Sequence, residues 1–470
     1  MNTHKTYPSL DSDSAWELAL DSFSGLPHHD CRVIHRVIQM AQTRNNAPEK
    51  KFSQIFSTSA DRKAGYRLIE NESLAPECLS KSICDAGGKA LSNQQLAMVV
   101  ISQDTSWFAF PKCRNVEGMG KISDSRMKGF ALHTALGISP DGVPLAILSM
   151  NYFVRPYKKP TMHRQARPIG EKESIRWEAS AQNALDQVPI GTKAIFVSDR
   201  ESDIYEYLDF LLRKEASFVV RVQHDRRVEG EEKYLLEKMA NIPPLGRATM
   251  TIPKGHNRSE RVVRMTLQTT EVEFAGRKGS PGKGPEREGK PLWVLRLVED
   301  PNNEVSEPVE WILYTDMPVQ TLRQGMEVLR LYTLRWRIEE FHLTLKSGMG
   351  VENQKFEGLE QILRWIYISA PMAVKLLELM LGSRESPNRL IEETVSPSEV
   401  EAIKLIIKRQ TGRRPRRVTV EQAVKSIAFL GGWMGRRGDG PPGIRTFWRG
   451  WREMQIMAKT LETVSNVRRR

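Results

Sequence analysis

Leu96-Ala97-Met98-Val99-Val100-Ile101, followed at once by Ser102-Gln103-Asp104-Thr105-Ser106, marks the point where the chain changes character. The first six residues are apolar and rich in β-branched types, the pattern of a strand buried on both faces. Gly129 to Ile138 reads as a second strand, Ser139-Pro140-Asp141-Gly142 as a turn and Val143 to Met150 as a third strand. A helix follows near Glu171 to Leu185, then a strand at Ala194 to Ser198, a helix near Ile204 to Arg213 and a strand at Phe218 to Val222. Three meandering strands followed by alternating helix and strand predict a mixed α/β sheet with covered faces.

Further out the pattern shifts twice. Residues from about 228 to 315 hold short alternating runs (Ala248 to Ile252, Val262 to Gln268, Leu292 to Val298, Trp311 to Tyr314), which predict an antiparallel insertion. Within it, the glycine-rich, charged stretch from Gly276 to Gly284 reads as a flexible loop. A long helix is expected from Thr321 to Lys346, stopped near Gly348, and a second from Leu359 to Leu381, kinked at Pro371. Ser386 to Pro397 reads as a linker, and helices follow it, interrupted by Arg413 to Arg417 and by the loop Gly435 to Gly443. Upstream, Trp16 to Leu26 and Arg32 to Thr43 have helical spacing, and Ser57-Thr58-Ser59 offers a cap for a helix from Asp61 to Ile69. Arg32, Arg36, Arg44, Arg62, Lys63 and Arg67 make these helices basic; taken singly, each reads as solvated surface.

At 470 residues the chain exceeds one ordinary core, and 40% hydrophobic content excludes a disordered protein. Seventy Lys and Arg against 57 Asp and Glu leave a net charge of +13, which suits nucleic acid or an anionic surface. No apolar run approaches the ~18 residues that span a bilayer, so no membrane partner is expected. The first 30 residues are polar and acidic, without the basic start and apolar centre of a secretion signal. Cys31, Cys78, Cys84 and Cys113 form no CxxC pair; neither a disulfide framework nor a zinc site is expected, and a reducing cytoplasm fits.

Asp104 and Asp199 each follow directly on a predicted strand, where ligands gather in α/β sheets. Singly, each reads first as a helix cap or turn residue; as a pair they are candidates for one site. The third element is Tyr332-Thr333-Leu334-Arg335-Trp336-Arg337-Ile338-Glu339-Glu340-Phe341-His342, continuing to Lys346. On a regular helix of about 100° per residue, Arg335, Glu339 and Lys346 fall within about 60° of Tyr332. Pairing of Arg335 with Glu339 on a solvated face would explain two of the four residues. A stripe with a carboxylate, two cations and a hydroxyl suits a phosphate diester. Glu340 lies about 100° away and is not selected.

The spacing Tyr332-x2-Arg335-x3-Glu339-x6-Lys346, with 95 residues from Asp104 to Asp199 and then 140 from Asp199 to Glu339, resembles the signature of the insertion-sequence-four family of bacterial DDE transposases. The resemblance extends to Asp104-Thr105-Ser106, Val197 to Ile204, Phe218 to Arg221, Leu430 to Trp433 and Trp448-x2-Trp451. It implies a ribonuclease-H-like core at 76–385 with a β-rich insertion. An N-terminal helical domain binding transposon ends would occupy 1–75, and a helical dimerisation region 386–470. Asp104, Asp199 and Glu339 would be the catalytic acids holding two Mg²⁺ ions, with Mn²⁺ as a substitute. Tyr332, Arg335 and Lys346 would contact end phosphates, Arg221 and Trp311 would lie near the active site, and Arg32, Arg36 and Arg67 would serve end recognition. The partners implied are double-stranded DNA, as transposon ends and target, and a second copy of the chain; the place of action is the bacterial cytoplasm, on the nucleoid when DNA-bound. Leu343, Gln223 and Cys31-Arg32-Val33 depart from the more basic pattern of the best-known member, which touches end-sequence specificity rather than chemistry.

Phosphodiester chemistry needs an activated oxygen nucleophile and charge stabilisation, which two Mg²⁺ ions about 4 Å apart supply. Hard oxygen ligands suit Mg²⁺, hence carboxylates. The expected activity is cut-and-paste transposition with a hairpin intermediate, in which Trp311 could stack on an expelled base. The alternatives are a nuclease of the same fold without strand transfer and a catalytically silent DNA-binding inhibitor. A glycoside hydrolase would use two of the acids but leave Arg335, Lys346 and the charge without a role.

Overall fold

The computed structural model describes residues 14–48, 50–110, 116–122, 127–156, 173–252, 261–274, 291–300, 308–436 and 438–469. Cys113 and the glycine-rich stretch 276–284 lie outside them. Its centre is a ten-stranded mixed sheet. The strands are β1 (Met98–Ala109), β2 (Gly120–Lys121), β3 (Lys128–Ile138), β4 (Pro144–Phe153), β5 (Lys193–Ser198), β6 (Ser217–Arg221), β7 (Gly246–Ile252), β8 (Arg261–Val272), β9 (Leu292–Glu299) and β10 (Glu310–Thr315). Their order is β2-β3-β1-β5-β6-β10-β9-β8-β7, with β4 also on β3. β1, β5 and β6 are parallel neighbours, and the rest pair antiparallel. The expected meander, α/β alternation and antiparallel insertion are all present, and the insertion continues the same ladder through β6 and β10.

Alternation along the strands separates two apolar cores, one on each face. Val100 and Val197 belong to one, Val99, Ile101 and Phe196 to the other. On the second face lie α5 (Ile175–Gln187) and α6 (Tyr205–Arg213), through Trp177, Ala181 and Leu211. The first face is covered by α8 (Leu322–Thr333), α9 (Trp336–Leu343) and α10 (Leu359–Glu385). The N-terminal helices α1 (Ser14–Phe23), α2 (Cys31–Asn45), α3 (Ser59–Ile69) and α4 (Pro76–Gln94) also join the first core. So do the C-terminal helices α11 (Pro397–Thr411), α12 (Val420–Leu430) and α13 (Ile444–Arg469). A short helix α7 (Leu235–Asn241) precedes the insertion. Asp30 caps α2 and Thr58 caps α3, accepting the amides of Arg32 and Asp61.

Four expectations are corrected. β1 runs on to Ala109, so Asp104 lies inside a strand, opposite Thr134, and not after it. Ser102 and Gln103 can be buried there because Ser102 donates to the Arg335 carbonyl and Gln103 accepts from the Tyr207 hydroxyl. The helix expected from Thr321 to Lys346 is interrupted: Leu334 and Arg335 donate to Leu331 and Tyr332, three residues back, and Thr344–Gly348 widens into a π-turn. α10 is long and apolar enough to cross a membrane, although no such run was expected. Of its most apolar window 78% is buried inside the protein, the pattern of a core helix, and it passes through Pro371 without ending.

Arg44 is the fourth. It is fully buried, not solvated. Its guanidinium lies 4.4 Å from the Trp365 ring, donates to Ser369 at 3.0 Å and to the Lys50 carbonyl at 2.8 Å, and bonds the Met349 carbonyl. α2 is thereby tied to α10 and to the turn after α9. Arg44→Met is expected to lower stability to denaturant by roughly 3 kcal/mol, because buried acceptors lose their donor. A shift below ~1 kcal/mol in chemical unfolding would refute this role.

Cys84 is buried on α4, and burial pushes its thiol up to about 12. Cys31 is exposed. At pH 8 a maleimide should modify Cys31 and spare Cys84 until the chain is unfolded, as read by peptide mass spectrometry.

Candidate active site

β1 and β5 set the first two acids level. Ser102 pairs with Val197, so Asp104 and Asp199 each stand two residues past that shared rung. Asp104 accepts its neighbour Thr105's amide at 2.8 Å. Asp199 leaves the strand and caps a turn, accepting the amide of Glu201 at 2.9 Å. It therefore has the cap role as well as its place beside Asp104. Burial, then the charge of Asp199, pushes the Asp104 carboxyl up to about 7, and Glu339 adds to the push. The charges of Asp199 and Glu339 thus both bear on Asp104, an arrangement that favours a bound cation.

Glu339 comes from α9. Its carboxylate is paired with Arg335 at 2.7 Å, and its neighbour Glu340 turns instead to Arg337 at 3.1 Å. Among the described residues no three His, Cys, Asp or Glu side chains form a set close enough to enclose a metal ion. The chemistry of the donors nevertheless fits one. Asp104, on β1, and Asp199, just past the end of the adjacent β5, offer hard oxygens, and the push of Asp199 on Asp104 is what a divalent ion relieves. Glu339 could join them on leaving Arg335.

Tyr332, Arg335, Arg221 and Trp311 gather on the α8 and α9 side. The Trp311 ring meets Tyr332 edge-on at 5.8 Å, and the Arg335 guanidinium lies 6.0 Å from Tyr332 and 5.0 Å from Trp336. Arg221, at the end of β6, has its basicity lowered by burial, offset by contact with the Tyr332 hydroxyl. Tyr332 and Arg335 are buried, whereas Trp336 is half exposed. Lys346 stands apart on the π-turn. It donates to the Trp107 carbonyl at 2.5 Å and lies 4.7 Å from the Phe108 ring; burial lowers its basicity, and Glu352 and Asp104 offset this. A uniform helical wheel is thus the wrong ruler. The interrupted helix sends Tyr332 and Arg335 toward β6 and β10, and Lys346 toward β1.

Arg32, Arg36 and Arg67 lie on the exposed faces of α2 and α3, with Arg32 turned back on Asp30 at 2.9 Å. The structure does not bring them to the acids. Trp448 and Trp451 are buried in the core.

Several residues near the acids were not named as site residues from the sequence. His342 is buried 3.9 Å from Asp104, and burial, reinforced by Lys346, drives its basicity down to about 3, so it is a neutral ring. Buried Asp203 accepts the amides of Gln223 and His224 at 2.7 and 2.8 Å and binds Arg226, fixing the segment after β6. On the other face of the sheet Arg176 of α5 reaches Thr105 and Glu201 at 3.1 Å each, beside a cleft of about 540 Å³. Thr105 also bonds His133 at 2.8 Å. Asp203 lies inside the quoted stretch Val197 to Ile204; Arg176 sits in an ordinary helix start and had nothing to mark it.

Residues 178–373 match the family model described as a transposase DDE domain, and residues 371–466 match that described as a transposase Tn5 dimerisation domain. The two matches meet inside α10. The first takes in Asp199 and Glu339, and Asp104 lies ahead of it. Together they support a DDE transposase, and the mixed α/β sheet fits the ribonuclease-H-like core of such a domain.

Proposed function

We propose, with those two matches as the premise, that the chain is a cut-and-paste DNA transposase of the insertion-sequence-four type. The observation that carries this reading is the level placement of Asp104 and Asp199 with the charge of Glu339 bearing on Asp104, beside a cationic and aromatic wall.

In this reading Asp104, Asp199 and Glu339 hold divalent ions, Mg²⁺ with Mn²⁺ as a substitute. When bound, these supply an activated oxygen nucleophile and stabilise charge on the phosphoryl oxygens. Arg335 and Arg221 hold the end phosphate, with the Tyr332 hydroxyl bonded to it. Arg335, buried but forked, gives up Glu339 to a phosphate of like geometry, since a guanidinium pairs with both. The half-exposed Trp311 offers a face for an unstacked base, in keeping with a hairpin intermediate. Lys346 balances the negative charge near Asp104. Arg32, Arg36 and Arg67 on exposed helix faces suit the backbone of the transposon end. A second copy, through 386–470, would bring two ends together.

The gene's own flanking DNA supplies the substrate. Precleaved ends carrying a free 3′-hydroxyl, incubated with a supercoiled plasmid and Mg²⁺, should yield joined products. Strand nicking without joined product would identify a nuclease instead.

A further inference from the structure

Each catalytic aspartate of the proposed site is held by one amide, and the side chains of the two residues that supply those amides meet on a single guanidinium. Thr105 donates its N–H to Asp104 Oδ1 at 2.8 Å, and Glu201 donates its N–H to Asp199 Oδ1 at 2.9 Å. Arg176 Nε donates to Thr105 Oγ1 at 3.1 Å, and Arg176 Nη2 donates to Glu201 Oε2 at 3.1 Å. The guanidinium is itself seated. It donates to the Glu173 carbonyl at 3.0 Å and lies 4.9 Å from the Phe153 ring. His133 Nδ1 completes the set on Thr105 at 2.8 Å.

Alternation along β1 puts the two sides of this arrangement on opposite faces of the sheet. Asp104 belongs with Val100 and Ser102 on the α9 face, and Thr105 faces α5 with His133 and Trp177. Arg176 therefore touches neither carboxylate. We infer that it is a positioning residue: a rigid fork that fixes the separation of Asp104 and Asp199 from behind the sheet, against their mutual repulsion. Five donors in one plane suit this task, because a lysine ammonium holds one partner as a point charge and cannot span two in fixed geometry. The inference rests on the reading of the aspartates as ligands of a divalent ion.

Mn²⁺ titration of the full-length, DNA-free protein, followed by electron paramagnetic resonance, tests it without requiring activity. Arg176→Gln should weaken Mn²⁺ binding about tenfold or more, the range typical of lost outer partners at metal sites. Thr105→Val, which removes one arm of the fork, should fall between Arg176→Gln and the parent. Ala181→Gly, on the same helix and away from the fork, lowers the melting temperature through helix propensity and should leave Mn²⁺ affinity unchanged. Arg176→Gln binding Mn²⁺ within twofold of the parent would overturn the inference, as would an equal loss in Ala181→Gly at matched melting temperature. Should Arg176→Gln fail to fold, Thr105→Val decides alone, parental affinity overturning the inference. If Asp104→Asn takes no Mn²⁺ site from the parent, the metal reading itself fails, and that outcome is distinct from the others.

Discussion

Replacing Asp104, Asp199 or Glu339 singly by alanine is expected to leave binding of end DNA within about twofold of the parent and to reduce Mg²⁺-dependent strand cleavage by at least ~10³-fold, about 4 kcal/mol of transition-state stabilisation. The three do not act alike in the folded protein. Asp104 carries a carboxyl pushed up to about 7 by burial and by Asp199. Its ionised form therefore works against folding. That penalty is full above about pH 7 and is gone below the ordinary carboxylate value near 4. Asp104→Ala should accordingly melt no lower than the parent at pH 8 in the absence of divalent ions, so that its lost cleavage cannot be ascribed to unfolding. Glu339→Ala differs, since it leaves the buried Arg335 without its 2.7 Å partner, and its melting temperature should drop. Cleavage at the parental rate by any of the three variants, in a gel assay of labelled ends, would remove that residue from the chemistry.

Gly450→Ala is expected to destabilise the C-terminal helices by about 3 kcal/mol or more. A Cβ at Gly450 would stand 1.7 Å from the Ile427 carbonyl oxygen, and one at Gly431 would stand 1.8 Å from that of Thr446. The atoms struck are backbone in both cases, so no side chain can swing aside, and the α12 and α13 axes must move apart. Such overpacking ordinarily costs about 1–3 kcal/mol, and backbone contacts lie at the upper end. Guanidinium unfolding with fluorescence from buried Trp448 and Trp451 would report it. A parental midpoint would show that the helices do not meet as described. If this region joins two copies, Gly450→Ala should also abolish products that need two ends while sparing single-end binding.

Much of the architecture was open to reading because apolar periodicity reports burial directly. The buried strands near residues 98, 130, 194 and 218 and the cap at Thr58 are local signals that the fold kept. What escaped was set by contacts distant in sequence. α4 carries Gly87 and Gly88, which depress helical propensity, yet a Cβ at Gly87 would stand 2.4 Å from the Ile147 carbonyl. Those glycines serve close packing on β4. Ser102 and Gln103, in the middle of β1, are polar by composition and buried by virtue of partners on α9 and α6. Arg44 reads as solvated until Trp365, more than 300 residues away, supplies its ring. At the proposed site, the two aspartates and the glutamate are named from strand ends, a helix face and a family resemblance. Arg176 could not be named, because a fork across the back of a sheet leaves no pattern along the chain.

The burial of Arg44 also has a consequence in time. Its partners include Met349 and Ser369, 305 and 325 residues downstream. At a synthesis rate of about 5–20 residues per second, the interval between the making of α2 and the arrival of those partners is roughly 15–65 s. During that interval the nascent N-terminal helices hold a guanidinium with no interior to enter, and their basic faces are exposed before the residues of the proposed site on α8 and α9 have been made.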